Sequence, residues 1–247
     1  GTGPELAWYA ANHNGASAKL TADVSLGGYG VQIKNLEGTF DGDGHYITDL
    51  NGPSLFYYPK ANSVIRNLGV SGETTGAGGI VHHWGYGGNV KITIENCVSR
   101  VDVTGGGHML APGGIIGGAD AGSDAYAPRI INCYNAGTVI GKDTDKTAGV
   151  VGVYDGVGNV YIKNCYKISN ASNYVISSGY RGTNSNNYTL LGAAPNAGGS
   201  AVQADVLKTY ADTLGDAYMD NPTSYNDGYP ILTWEEPRAL AVAKEEF

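Results

Sequence analysis

The sequence predicts an all-β fold, a right-handed parallel β-helix in which short strands stack coil upon coil. Three observations carry the prediction. One phrase recurs as Ile65-Arg66-Asn67-Leu68, Ile94-Glu95-Asn96-Cys97, Ile131-Asn132-Cys133-Tyr134 and Ile162-Lys163-Asn164-Cys165. A second precedes each: Ser54-Leu55-Phe56, Gly79-Ile80-Val81, Gly114-Ile115-Ile116 and Gly149-Val150-Val151. Self-similarity at roughly 30 residues marks a solenoid, whose units bury their apolar faces against one another. Third, no window between Leu20 and Ile176 has helical periodicity, and the phrases are short, β-branched and bounded by Gly, Asn and Asp.

Stacked strands form parallel sheets about 4.8 Å apart with alternate side chains inward. An Asn at the same point of four coils predicts an amide ladder, each side-chain N–H donating to the C=O of the next coil. Along one phrase Ile94 and Asn96 share a face, and Glu95 and Cys97 the other. The position of a bend decides whether Asn or Cys points inward.

The elements follow in order. Thr2-Gly3-Pro4-Glu5 is a capping box with Pro in the first turn, predicting a helix over 3–13 that covers the open end of the coils. Leu20 to Leu26 reads as the first strand, and Phe40-Asp41-Gly42-Asp43-Gly44-His45-Tyr46-Ile47 as a tight turn. Residues 181–199 read as irregular chain. Ser200-Ala201-Val202-Gln203 reads as a second capping box, opening a helix to Ala217 with Val206, Leu207, Tyr210 and Leu214 on one stripe. A strand from Tyr229 to Trp234 returns to the body. The expected organisation is one domain over 1–247: a cap helix in 1–19, coils over 20–180, a C-terminal cap region of helix plus strand over 181–234, and a frayed or appended tail over 235–247.

Composition narrows the function classes. The 39 glycines lack a Gly-X-Y period, so they serve turns and not collagen. Only 15% of residues are charged, the net charge is −8 and no basic run exists, which argues against nucleic-acid and anionic-membrane partners. Apolar runs fall short of a membrane span, so no insertion is expected. No signal-peptide pattern opens the chain, as for a sequence that starts after a removed leader or is excised from a longer one. Cys97, Cys133 and Cys165 recur at one place in successive repeats without zinc spacing. Parallel in-register stacking seldom gives disulfide torsion, so they read as three reduced, packed thiols.

Residues 2–26, then GTFDGDGHYITDL, SLF, VIRNLGVSG, GGIV, GGIIG, YNAGTVIG and the closing NDGYPILTW resemble the GLUG-repeat region of bacterial cell-surface proteins. That family commonly writes a Phe-Asp-Gly-x-Gly-His turn, a Gly-Leu-x-Gly strand and an Ile-x-Asn-Leu or Asn-Cys strand. The resemblance spans nearly the whole chain. It implies a secreted or cell-wall-attached extracellular protein, often an adhesin or a module of a large enzyme, and it transfers no catalytic residues.

Counting on from the second phrase, the third positions are Tyr57, His82, Gly117 and Gly152, and the fourth are Tyr58, His83, Gly118 and Val153. The fifth are Pro59, Trp84, Ala119 and Tyr154, and the sixth are Lys60, Gly85, Asp120 and Asp155. The resembling family usually has Gly where His82 stands. This column predicts a carbohydrate-binding groove: Trp84 and Tyr154 offer flat apolar faces, and His82, His83, Asp120, Asp155 and Lys60 bond hydroxyls, with Tyr86 and Tyr126 in adjoining loops. The competing reading is scattered aromatics that shield apolar surface. Asp120 and Asp155, one coil apart at about 5 Å, are candidates for a glycosidase pair, although Asp is also the commonest solvated turn residue. Asp41 and Asp43 begin like an EF-hand loop that lacks its Glu, since position 52 is Gly, and Asp143 and Asp145 form a second sparse calcium candidate. Beyond such structural calcium no cofactor is expected, and His45 reads as a hydrogen-bonded structural histidine. The expectation is a monomeric, non-catalytic module of a larger protein that binds glycan or a host or cell surface. The alternatives are a polysaccharide-degrading enzyme and a structural spacer.

Overall fold

The computed structural model describes residues 1–13, 15–27, 29–83, 91–106, 110–119, 124–142, 147–153, 158–168, 174–176, 180–190 and 198–245. Its strands pair in parallel and build a β-solenoid with three faces. The first face stacks Ala18–Lys19, the start of Thr39–Gly52, the start of Val64–Thr74, Thr93–Glu95, Arg129–Ile131, Gly158–Lys163 and Tyr180–Ser185. The second stacks Val24–Ser25, the later parts of Thr39–Gly52 and Val64–Thr74, then Val98–Val103, Tyr134–Asn135, Tyr166–Lys167, Tyr188–Leu190 and Ser200–Val202. The third runs Ile33, Phe56, Val81, Ile116, Val151 and Ile176, through single bridges and then through Ile116–Ala119, Ala148–Val153 and Tyr174–Ile176.

The bend between the first two faces lies at the Asn itself. Asn67, Asn96, Asn132, Asn164 and Asn186 all have φ between 50 and 56°, the left-handed conformation that Asn tolerates better than most residues. The turn rotates the next side chain inward, so Leu68, Cys97, Cys133 and Cys165 are buried beside Ile65, Ile94, Ile130 and Ile162. Ile94 and Asn96 therefore do not share a face, because the strand's alternation is reset at the corner. The predicted ladder is present. Asn96 donates to Asn67 Oδ1 at 3.2 Å, Asn132 to Asn96 at 3.0 Å, Asn164 to Asn132 at 2.9 Å and Asn186 to Asn164 at 2.8 Å. Asn67 in turn donates to Asp41 Oδ1 at 3.1 Å, so a carboxylate ends the chain of amides. Every rung satisfies a half-buried amide that would otherwise cost about 1–3 kcal/mol. The three thiols are free, and burial pushes those of Cys97 and Cys165 well above the ordinary thiol range.

Several elements differ from expectation. The helix Gly3–Asn12 forms with its capping box and packs Leu6, Ala7, Tyr9 and Ala10 on the core. The first strand is split into Ala18–Lys19 and Val24–Ser25, because Asp23 leaves the sheet to accept from Tyr46 N and Arg238. The Phe40–Ile47 turn lies inside the Thr39–Gly52 strand as a corner at Asp43 and Gly44, both at positive φ. Residues 180–190 form a further coil with its own rung at Asn186, where sequence reasoning placed irregular chain. Asn187 replaces the inward Cys there and bonds the backbone instead, which hides the repeat. Ser200–Val202 is a strand, and the expected long helix is two short ones, Ala204–Leu207 and Ala211–Leu214. The returning strand is Ile231–Leu232, antiparallel to Tyr218–Met219. The supposed tail is ordered as a 3-10 turn, Thr233–Glu235, and a helix, Glu236–Glu245.

This C-terminal segment lies over the outer side of the second face. There Tyr46, Gly69, Val98, Tyr134, Tyr166 and Tyr188 form one outward column in register. Leu207, Ala211, Leu214, Tyr218, Tyr229 and Leu232 bury the column in a second core. Gly69 has no side chain because the Tyr46 ring occupies the space where its Cβ would stand.

Candidate functional site

The third face continues for two residues past Phe56 and Val81, and this extension builds the predicted edge. Tyr57 N donates to Ile33 O at 2.9 Å and Tyr58 N to Lys34 O at 3.2 Å; one coil on, His82 N donates to Phe56 O at 2.7 Å and His83 N to Tyr57 O at 3.3 Å. The parallel ladder sets one ring over the next. Tyr57 and His82 stack with centroids 5.2 Å apart and planes 18° apart, and Tyr58 and His83 lie 5.6 Å apart. Lys60 Nζ stands 5.5 Å from the Tyr58 ring.

The electrostatics favour neutral rings. His82 Nδ1 accepts from the Ala77 amide at 2.9 Å, which leaves Nε2 to carry the proton. Burial lowers His82 below the ordinary imidazole value. Burial, and then the neighbouring His82, pull His83 down to about 4. Tyr57 is 45% exposed, so the outer ring of the pair faces solvent. Below His83 the next coil offers Gly118, at φ 53°, where a Cβ would stand 2.9 Å from the His83 ring. The aromatic tile thus meets a glycine step. Its chemistry is that of an apolar platform rimmed by phenol hydroxyls, neutral imidazoles and a Lys ammonium.

Gly118 also corrects the positional count. Ala119, not Gly118, pairs with Val153, because a bulge adds one residue there. The alignment of Asp120 with Asp155 rested on that count. Trp84, Tyr86, Asp120, Tyr154, Asp155, Asp143 and Asp145 lie outside the described residues. Tyr126 stands in the 3-10 turn Asp124–Tyr126, packed against the Gly158–Lys163 strand and leading into the first face, rather than in the column with His82. Asp41 is committed to Arg66 at 2.9 Å and to Asn67, and Asp43 pairs with Lys19 at 2.9 Å. Among the described residues no group of three His, Cys, Asp or Glu is placed to hold a metal. His45 Nδ1 lies 3.3 Å from Asp23, as a structural histidine should.

Sequence reasoning missed a second polar cluster, on the covered second face. Glu235 is 0% exposed. Its carboxylate accepts from the hydroxyls of Tyr46 at 2.7 Å, Tyr134 at 2.9 Å and Tyr225 at 3.0 Å, and from Leu232 N at 3.0 Å. Arg100 Nη2 is 3.9 Å from the carboxylate and 3.0 Å from the Tyr134 hydroxyl, and its guanidinium lies 4.9 Å from the Tyr225 centroid. Burial, and then the Glu235 charge, push Tyr46 and Tyr134 far above the ordinary phenol range. The available signal was the Tyr after Cys133 and Cys165: a tyrosine column on an outward face needs a cover that supplies a hydrogen-bond partner.

No family model and no curated protein matches the sequence. Among solved structures, the chain is similar to a protein provisionally described as an immunoglobulin A1 protease from Bacteroides ovatus. The two align with a TM-score of 0.57 at 19% identity, over 89% of this chain and 87% of that one. At that identity the likeness speaks for the fold alone. Among the described residues no helix is long and apolar enough to cross a membrane.

Proposed function

We propose that the chain is a non-catalytic, glycan-binding module of a secreted or surface-attached bacterial protein, and that the Tyr57–Tyr58–His82–His83 edge is its binding surface. The coil is right-handed, following the strong preference of parallel crossovers, with the Gly3–Asn12 helix closing one end of the core. The observation that supports the functional reading is the stacking of solvent-facing Tyr57 on His82, with Tyr58 and His83 in tilted contact beside them, their planes 38° apart. Sugar rings present apolar faces that pack on such rings, while hydroxyls bond the phenol and imidazole groups at their rim. Kinship with GLUG-repeat proteins remains the proposed family, supported by the Phe-Asp-Gly-x-Gly-His segment and its anchoring role at Asp41.

The description of the Bacteroides ovatus protein raises peptide cleavage as a second reading. Ser54, which like His82 lies against Gly76, donates to Gly78 O and accepts from Gly78 N, while His82 Nδ1 accepts from Ala77 N. No hydrogen bond joins Ser54 to His82 as nucleophile and base, which favours binding over cleavage here. A glycan array of neutral oligosaccharides tests the proposal. Binding that falls about tenfold in Tyr57→Ala supports it; binding equal in wild type and Tyr57→Ala, or none to any glycan, refutes it.

A further inference from the structure

Among the described residues no segment covers the outer side of the first face as the C-terminal segment covers the second, and that side carries a cavity of about 270 Å³ lined by Lys91, Arg129, Tyr161 and Thr183, with Ala125, Ala127 and Val160 completing the wall. The ladder explains how residues so distant in sequence meet. Thr93 pairs with Arg129, Arg129 with Tyr161 and Tyr161 with Thr183, so these form one outward column on successive rungs. Two residues before Tyr161 and Thr183, Asn159 pairs with Arg181, and two residues after Tyr161, Lys163 is exposed. The Arg129 guanidinium lies 3.9 Å from the Tyr161 ring centroid, which fixes its fork.

Two features single this patch out. The chain has a net charge of −8, and each described arginine outside the patch faces a carboxylate: Arg66 faces Asp41 at 2.9 Å, Arg238 faces Asp23 at 2.5 Å and Arg100 faces Glu235 at 3.9 Å. Among the described residues, Lys91, Arg129, Lys163 and Arg181 have no such acidic partner, and Glu95 is the carboxylate at the border of the patch. The second feature is the chain's own precedent. On the second face Arg100 also lies over a tyrosine, Tyr134, at 5.9 Å, and there the buried carboxylate of Glu235 fills the site. Among the described residues no carboxylate forms an ion pair with Arg129 in the same Arg-on-Tyr arrangement on the first face.

We propose that this cavity binds the carboxylate or sulfate group of an acidic saccharide. Arg129 offers paired N–H donors to the anion, Lys91 a compact charge at the rim, and the Thr183 hydroxyl a partner for a ring hydroxyl. Rungs about 4.8 Å apart repeat positive charge along the axis from Lys91 to Arg181, an array suited to a polymer with recurrent negative groups.

Titration calorimetry on the full chain tests this with heparin, polygalacturonate, neutral dextran and oligo-deoxythymidylate. Heparin, polygalacturonate or both bind, any dextran binding is the same in wild type and in Lys91→Gln with Arg129→Gln, and the acidic saccharide that binds assigns sulfate or carboxylate. Lys91→Gln with Arg129→Gln weakens that binding by about tenfold or more, with the urea midpoint unchanged. Removing two charges elsewhere, by Lys142→Gln with Lys244→Gln, leaves it within about twofold, as expected for distant screened charges. The proposal is overturned if neither acidic saccharide binds, if the Lys91/Arg129 double variant binds like wild type or loses no more than the charge-matched control, or if oligo-deoxythymidylate binds as tightly as the saccharides. Because the Tyr57–His83 edge is read out with neutral glycans, either site can fail while the other stands.

Discussion

The first and second faces belong to one bent sheet, yet their outer surfaces have opposite fates. Both present tyrosine beside arginine: Tyr161 with Arg129 on the first, Tyr134 with Arg100 on the second. On the second face the C-terminal segment delivers Glu235 and an apolar lining of Leu207, Leu214 and Leu232. On the first face those side chains line an open cavity. The contrast teaches that the column alone does not decide its role. A carboxylate supplied from within makes a Tyr/Arg pair structural, and a pair without one is available to an external anion.

The largest expected effect comes from breaking the covered side. Glu235→Ala removes the shared acceptor of three tyrosine hydroxyls and strands Arg100, and should cost about 3–5 kcal/mol in urea unfolding. Glu235→Gln, which keeps the shape and part of the bonding, should lose less. A loss below about 1 kcal/mol for the alanine variant would erase the distinction between the two faces.

The corner common to both faces should give a smaller loss. Asn132→Ala leaves the Asn164 donor and the Asn96 acceptor without their rung and puts a Cβ-bearing residue without a local hydrogen bond at φ 52°. The expected cost is about 1–3 kcal/mol. Asn132→Gly relieves the backbone but not the amides, so it should recover only part. If glycine restores wild-type stability, the ladder contributes conformation and no bonding.

The Tyr57–His83 edge is half-buried, between the two cases, and its signature is a pH dependence. His83 titrates at about 4 in the folded chain, below its ordinary 6.5. Between these values the unfolded chain takes up a proton that the folded one refuses. Its stabilising effect is therefore complete above 6.5 and is lost on acidification toward 4. Asp23 acts with the same sign in a lower window. Burial alone would raise it, but Arg238 and the Tyr46 amide hold it below the ordinary carboxylate range, so its contribution fades only at lower pH. Urea midpoints measured at about pH 5 and about pH 7 should differ less in His83→Asn than in wild type; an unchanged difference would assign the loss to other groups.

The stacking of coils was legible because Asn67, Asn96, Asn132 and Asn164 repeat a residue with both a donor and an acceptor at one point of a recurring phrase, at intervals of 29, 36 and 32 residues. The final coil was hidden, since Asn187 stands where Cys is expected and uses backbone partners to meet the same need. The neighbouring of Tyr57 with His82 and of Tyr58 with His83 was legible because the phrases align there without insertion, and the count failed one coil later at the Gly118 bulge. Neither Glu235 nor the basic cavity could be read from local pattern. Glu235 meets Tyr46 across 189 positions, and Lys91, Arg129 and Arg181 form no run in the sequence at all.

A stack of repeats ordinarily frays from its ends, coil by coil, because each unit touches only its neighbours. Here the carboxylate of Glu235 grips hydroxyls carried by coils as far apart as Tyr46 and Tyr134, and Arg238 reaches back to Asp23. The last part of the polypeptide thereby works as a brooch, fastening early turns to late ones. Cooperative melting is the expected result in place of progressive unravelling, and clipping the chain before Glu235 should turn one sharp transition into a gradual one.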